Sequence, residues 1–109
     1  MASYKIGKKN KQYSENKTNF IVTYDFQSIQ NHIEKMLYNM KLRCFGYNPL
    51  LQQYWGKKII YDQIINFCIQ ISNSVENNIH VSLIMQHNTN YHKDSQLVEQ
   101  KIIQYIQTA

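Results

Sequence analysis

The sequence contains few of the residues that mark linkers, disulfide frameworks and phosphate-binding loops. It has one proline, three glycines and two cysteines in 109 residues. So little proline and glycine argues against a linker or a disordered scaffold. Cys44 and Cys68 are far apart and show no CxxC spacing. We therefore expect reduced thiols rather than a disulfide or a metal site.

Signatures of catalysis are also missing from the sequence. It shows no glycine-rich phosphate loop, nucleophile elbow or paired-carboxylate pattern. His87 and His92 fall in one polar loop, but a histidine pair without a third ligand does not define a metal centre. We therefore expect no enzymatic activity, no catalytic or metal-binding residues, no cofactor and no small-molecule substrate.

Long apolar runs are absent, and the positive charge is unevenly distributed. No run approaches the roughly 18–20 apolar residues of a membrane span, and the polar first residues do not resemble a secretory signal.

The formal net charge is +5, and most of it lies in residues 1–19. We interpret residues 1–19 as a basic flexible arm and residues 20–109 as one domain. The arm could be simply solvated, could dock on an acidic surface such as tubulin or nucleic acid, or could direct targeting, although its lack of arginine disfavours targeting. Its lysines are Lys5, Lys8, Lys9, Lys11 and Lys17.

Helical spacing begins after Asp25. The apolar residues that follow recur with a period near 3.6, which predicts an amphipathic helix near 25–43. Asp25 is suited to the N-cap, because its short side chain can accept a hydrogen bond from the first turn. Gly46 is suited to ending the helix. The apolar stripe consists of Phe26, Ile29, Ile33, Met36, Leu37 and Met40.

A second helix is predicted over residues 49–73. Asn48 can cap it, and Pro49 suits the first helical position. Two adjacent apolar stripes make its apolar arc wide, so burial on more than one side is expected, with Trp55 on the inner stripe. Gly56 inside this segment has two interpretations, a neutral substitution or a close approach of a neighbouring backbone.

The period changes to two after residue 78. Residues 79–86 alternate and predict a strand, which needs a neighbour from residues 20–23, from the C-terminal segment or from another chain. Residues 95–109 fit both helical and strand spacing. The Glu, Gln and Lys residues between the apolar positions favour a helix.

The order of these elements resembles the Tctex-type dynein light chains. The resemblance is carried by the amphipathic residues 26–40, the joint Tyr47-Asn48-Pro49, the Trp55 region and the strand that ends in Met85-Gln86. It implies an α+β fold in which two antiparallel amphipathic helices pack on a small, mainly antiparallel sheet. The sequence departs from the family where a Gly-containing turn and further strands with a Trp-Asp element are expected. The resemblance therefore implies a shortened C-terminal sheet.

The resemblance also implies a function. A Tctex-type light chain is non-catalytic, forms a homodimer or a heterodimer with another Tctex-type chain, and binds an extended segment of a dynein intermediate chain by strand addition. The implied location is a ciliary or axonemal motor complex of the cytoskeleton in the cytoplasm. The residues expected at the partner and dimer interface are His80, Val81, Ser82, Leu83, Ile84, Met85 and Gln86.

A second interpretation is a small accessory subunit of a large mitochondrial or ribosomal assembly. In that case the basic arm would contact neighbouring subunits or RNA phosphates, with strong salt dependence.

Aromatic residues offer a further clue, because bases can stack on them. They are predicted to lie on a helix among aliphatic residues, so we expect core packing and no nucleic-acid binding. These residues are Tyr47, Tyr54, Trp55 and Tyr61.

Overall fold

The computed structural model describes residues 13–60, 63–73, 78–88 and 92–108. Within these ranges the chain forms an α+β domain with one antiparallel sheet of five strands and two helices. The elements in chain order are β1 (Tyr13–Val22), α1 (Phe26–Asn39), β2 (Arg43–Asn48), β3 (Gln53–Ile60), β4 (Gln63–Asn73), β5 (Ile79–Asn88) and α2 (His92–Gln107).

The strands lie in the order β1-β5-β4-β3-β2, and every neighbouring pair is antiparallel. The last four strands form a meander, and β1 adds beside β5. Strand β5 confirms the alternating pattern of residues 79–86. Its neighbours come from within the chain, because β1 pairs with one of its edges and β4 with the other.

Period-two alternation determines which face of the sheet carries the core. On β5 and β4 the alternate residues on one face are buried, and side chains from both helices pack on that same face. We call it the inner face and the opposite one the outer face. The core residues contributed by β4, β5 and the helices are Ile65, Phe67, Ile69, Ile71, Ile79, Val81, Leu83, Met85, Ile29, Ile33, Met36, Leu37, Val98, Ile102 and Ile106.

Helix α1 confirms the predicted amphipathic segment and its N-cap, but it ends earlier than expected. Asp25 Oδ1 accepts a hydrogen bond of 2.8 Å from the Ser28 amide. At the other end, Lys41 has a left-handed φ of 56°. The Lys41 amide donates a hydrogen bond to Tyr38 O, and the Leu42 amide donates one to Leu37 O. This Schellman arrangement satisfies the last carbonyls and turns the chain well before Gly46.

The predicted second helix over residues 49–73 is wrong, because this segment forms the hairpin of β3 and β4. Asn48 Oδ1 accepts bonds from the amides of Leu50 (3.0 Å) and Leu51 (3.3 Å), so the Asn-Pro pair begins a hairpin turn. The segment is rich in β-branched isoleucine, and its apolar residues occur on both faces of the hairpin. The apolar residues on these two faces account for the two adjacent stripes that the sequence analysis assigned to a helix.

At both ends of the described chain an element begins earlier than the sequence predicted, since α2 includes His92, which was expected in a polar loop. Helix α2 confirms the helical interpretation of the C-terminal segment and begins at His92. Residues 20–22 do pair with β5, as one alternative anticipated, but β1 begins at Tyr13. Residues 13–19, Lys17 among them, therefore form strand where a flexible arm was expected. The other arm lysines, Lys5, Lys8, Lys9 and Lys11, lie outside the described residues.

Candidate functional site

The outer face of the sheet is the candidate site, because both described helices pack on the inner face. Tyr54 is 2% exposed and belongs to the core, so its neighbours in sequence, Gln53 and Trp55, point to the outer face. By the same alternation, Lys57 and Ile59 also lie there. The outer residues of β4 follow from the register, which pairs Trp55 with Cys68, Lys57 with Asn66 and Ile59 with Ile64.

One half of this face combines exposed apolar side chains with cations. Phe45 is 58% exposed, and Ile59 and Ile64 are each 45% exposed. Arg43 pairs with Lys57 across β2 and β3. No described residue of β2, β3 or β4 is acidic. We call this surface the outer-face patch and define it as Arg43, Phe45, Trp55, Lys57, Ile59 and Ile64.

A β-bulge in β2 determines how Phe45 is presented. The register shifts between Cys44 and Gly46, which leaves Phe45 as the extra residue. The Lys57 ammonium lies 5.3 Å from the centroid of the Phe45 ring, a cation–π contact between neighbouring strands. The bulge and this contact together place an aromatic ring next to a cation on the outer face.

Two glycines in β2 and β3 make room for neighbouring atoms of the other strand. A Cβ on Gly56 would lie 1.9 Å from the Arg43 carbonyl oxygen, so only glycine fits at this position. The interpretation of Gly56 as a close approach of a neighbouring backbone is confirmed. A Cβ on Gly46 would lie 3.1 Å from two atoms of the Trp55 indole, Cη2 and Cζ2. The indole therefore extends over β2 and fills the space that a side chain at residue 46 would occupy.

The aromatic residues separate into an inner and an outer group. Tyr54 packs against Tyr47 with ring centroids 4.5 Å apart, and the Tyr54 hydroxyl donates to Glu34 Oε2 on α1 at 3.4 Å. Burial and the nearby Glu34 carboxylate raise the pKa of Tyr54 well above its usual range. The expected core position is confirmed for Tyr54. For Trp55 it is wrong, because this side chain is half-buried on the outer face. Tyr61 lies outside the described residues.

The two cysteines have different environments. Neither forms a disulfide. Cys68 is 1% exposed, although it lies on the outer face between its register partners Trp55 and Ile84. Its burial raises the pKa of the thiol to about 11. Cys44 is exposed, and its thiol donates to Gly46 O at 3.4 Å.

The seven residues expected at a partner interface lie on β5, an interior strand of the sheet. Because β5 is paired along both edges, it does not offer the open edge on which their expected role depended. The side chains alternate between the two faces. Val81, Leu83 and Met85 are fully buried on the inner face. The remaining four, His80, Ser82, Ile84 and Gln86, are on the outer face.

A buried carboxylate under α2 was not anticipated from the sequence. Glu99 is almost fully buried and accepts hydrogen bonds from Asn16 Nδ2 (2.8 Å) and Thr18 Oγ1, both on β1. Nearby on the same face, Ser14 Oγ lies 3.5 Å from Nε2 of the buried His87. His87 was expected in a surface loop but lies in β5. The alternate polar residues of β1 were a signal that this strand meets a polar group.

A cleft of about 350 Å³ lies between α2 and β3. Its cations are Lys58 and Lys101, and Asp94 lies on the same wall. Lys58 Nζ donates to Met40 O at 3.0 Å and so stabilises the C-terminal end of α1. Among the residues described, no three His, Cys, Asp or Glu side chains are grouped as a metal site would require.

Comparison with known proteins does not assign the chain to a family. The chain matches no family model and no curated protein sequence. Neither described helix combines the length and the apolar character needed to cross a membrane.

Proposed function

We propose that this protein is a non-catalytic docking subunit of a larger assembly and that it binds through the outer-face patch. The observation that carries the proposal is the asymmetry of the sheet. Its inner face is covered by α1 and α2, whereas Phe45, Ile59 and Ile64 remain exposed on the other face.

The composition of the patch is that of a binding surface. Ile59 and Ile64 are register partners whose exposed side chains adjoin, and adjoining exposed apolar side chains mark sites of association. Aromatic residues and arginine are enriched at the energetic centres of interfaces, and the patch supplies Phe45, Trp55 and Arg43. The close approach of β2 and β3 at Gly56 gives these side chains a firm support, which lowers the entropy lost on binding.

The chemistry of the partner is limited by charge. Arg43 and Lys57 lie side by side, and no described residue on their three strands carries a negative charge. Burying two unpaired cations is costly unless the partner neutralises them. The partner surface should therefore be acidic where it meets these two residues.

A second candidate is the adaptor role of a Tctex-type dynein light chain. In this role the protein would dimerise and add an extended segment of a dynein intermediate chain to its sheet in a ciliary motor complex. One observation favours it, namely the difference between the two edge strands of the sheet. Strand β1 has ten residues and, among the described strands, pairs with β5 alone, whereas β2 has six and is interrupted by a bulge. Strand addition would therefore occur at β1.

Site-specific photocrosslinking in cells tests both candidates. A photoreactive amino acid replaces Phe45 on β2, Asn19 on β1 or Tyr38 on α1, each in the otherwise unchanged chain. All three side chains are exposed, and β1 and β2 lie at opposite edges of the sheet, about 19 Å apart for four strand spacings. Docking through the patch predicts one dominant crosslinked partner from residue 45 and none from residue 38.

The result at residue 19 separates the candidates. A crosslinked product from residue 19 alone would reject the docking proposal and favour strand addition at β1. Equal products from residues 45 and 38 would contradict both candidates, because the labelling would then be independent of the surface. The Phe45→Glu variant should remove the partner from co-purification, and Tyr38→Glu should retain it.

A further inference from the structure

We infer that the outer-face patch binds single-stranded nucleic acid. Trp55 and Phe45 provide stacking surfaces for bases, and Arg43 and Lys57 contact the phosphates. This inference rests on the proposed function, because it names the partner of the same surface. It also reverses the sequence-based expectation, which placed the aromatics on a helix among aliphatic residues.

The first argument is the arrangement of aromatic and cationic residues on one sheet face. Trp55 and Lys57 are two residues apart on β3, so they project from the same face about 7 Å from each other. On the neighbouring strand β2, Arg43 pairs with Lys57, and the bulge brings the Phe45 ring beside the Lys57 ammonium. Aromatic side chains interleaved with cations on adjacent strands are the elements with which sheet proteins bind single strands.

The second argument is the accessibility of the rings. Phe45 is mostly exposed, although its strand pairs with β3. Trp55 is held in place because its indole occupies the space above Gly46. A ring that is already fixed loses little conformational freedom when a base stacks on it, so it binds more tightly than a mobile ring.

The third argument distinguishes a nucleic acid from an acidic polypeptide. Amide side chains lie on the same face beside Lys57 and beside Trp55. Asn66 pairs with Lys57 in the register, and Gln53 lies beside Trp55 on β3. Amide side chains both donate and accept hydrogen bonds. They can therefore bond both the donors and the acceptors on the edges of unstacked bases. The carboxylates of an acidic polypeptide, in contrast, only accept hydrogen bonds.

The electrostatic field supports this choice of ligand. The described acidic residue on the outer face, Glu15, is on β1 at the opposite edge of the sheet from the patch. Gln86 Nε2 donates to Glu15 Oε2 at 3.2 Å. A phosphate chain crossing β2 and β3 would therefore meet cations and no described carboxylate.

The fluorescence of the single tryptophan is a site-specific readout. Trp55 is the only tryptophan in the chain, and base stacking on an indole quenches its emission. The full chain is titrated with a 12-nucleotide oligouridylate and, separately, with an oligothymidylate of the same length. Saturable quenching is expected with both, together with a rise in the anisotropy of a labelled oligonucleotide.

Matched variants locate the binding surface. Phe45→Ala should weaken oligonucleotide binding about tenfold, in line with the loss of one stacked base. Tyr38→Ala removes an exposed aromatic residue from α1 and should leave binding unchanged. Lys57→Gln should reduce the slope of log K against log salt by about 0.7, and Lys35→Gln on α1 should not. All four positions are solvent-accessible to some degree, and a melting curve for each variant verifies folding.

Three outcomes would overturn the inference, and they bear differently on the docking proposal. If Phe45→Ala and Tyr38→Ala bind the oligonucleotide equally, the binding site is not the patch. If polyglutamate quenches Trp55 as effectively as the oligonucleotides and Phe45→Ala weakens its binding to the same degree, the ligand is an acidic polypeptide and docking through the patch stands. If no oligonucleotide binds and residue 45 also crosslinks to nothing in cells, both proposals fail.

Discussion

Tyr54 and Trp55 are consecutive residues that lie on opposite faces of β3. Tyr54 pairs with Ile69 in the core, and Trp55 pairs with Cys68 on the outer face. This one-residue change of face separates a structural aromatic residue from one available for binding. Substituting the two residues should therefore have different consequences for stability and for association.

The first prediction concerns this pair. Tyr54→Ala should lower the free energy of unfolding by about 3–5 kcal/mol, as for other buried large aromatics. Trp55→Ala should cost only about 1–2 kcal/mol, because part of the indole is already exposed to water. Urea denaturation followed by circular dichroism measures both. Equal losses would show that the indole is as buried as the Tyr54 ring.

The second prediction compares two glycines that differ in what a Cβ would meet. Gly56→Ala places a methyl group against the Arg43 carbonyl. Since backbone must move, a loss of about 3 kcal/mol is expected. Gly46→Ala meets the Trp55 ring at 3.1 Å, a contact that a shift of a few tenths of an ångström relieves, and should cost less than about 1 kcal/mol. The midpoints of chemical denaturation test this order, and a larger cost at residue 46 would contradict it.

The third prediction concerns thiol reactivity. At pH 8 the exposed Cys44 should react quickly with a chromogenic disulfide reagent, while Cys68 stays protected by burial and by a thiol pKa near 11. One fast equivalent is expected in the native protein and two after denaturation. Cys44→Ser should remove the fast phase, and Cys68→Ser should preserve it.

The same thiol gives the protein a defined alkaline sensitivity. The Cys68 thiol ionises near its ordinary pKa of 9.0 when unfolded and near 11 when folded. The unfolded chain therefore loses this proton first, and stability should fall as the pH rises from about 9 to 11. Cys68→Ala should reduce this fall relative to the unsubstituted chain. An identical pH profile for both proteins would contradict the assignment.

The fourth prediction concerns the carboxylate that joins α2 to β1. Glu99→Ala leaves the Asn16 amide and the Thr18 hydroxyl without their acceptor, so a loss of about 2 kcal/mol is expected. Glu99→Gln keeps one acceptor oxygen and should cost less. Gln100→Ala, an exposed position on the same helix, is the control. A double-mutant cycle with Thr18→Val should give a coupling of at least about 0.5 kcal/mol.

The elements with one dominant period were predictable from the sequence. Helix α1 has a single apolar stripe and an N-cap at Asp25, β5 alternates strictly, and α2 has helix-favouring residues between its apolar positions. The hairpin of β3 and β4 was not predictable in the same way, because Ile59 and Ile64 lie on the outer face while Ile65 and Ile69 lie in the core. Apolar residues on both faces conceal a period of two.

The candidate site was missed for the same reason. Its residues come from β2, β3 and β4, and they meet only through strand pairing and through the bulge at Phe45. Once residues 49–73 were assigned to a helix, Trp55 was placed in the core. Asn48 and Pro49 did not correct this error, since an Asx-type bond followed by proline begins both helices and tight turns.

The pairing of β1 with β5 has a consequence for synthesis on the ribosome. Ser14 pairs with His87, which is 73 positions further along the chain, whereas β2 to β5 form successive local hairpins. At roughly 5–20 residues per second, β1 waits several seconds for its partner strand. The waiting segment is polar from Ser14 to Asn19, and a polar edge strand resists pairing with other nascent chains. The hydrophilic character of β1 thus protects the growing polypeptide from aggregation until translation reaches β5.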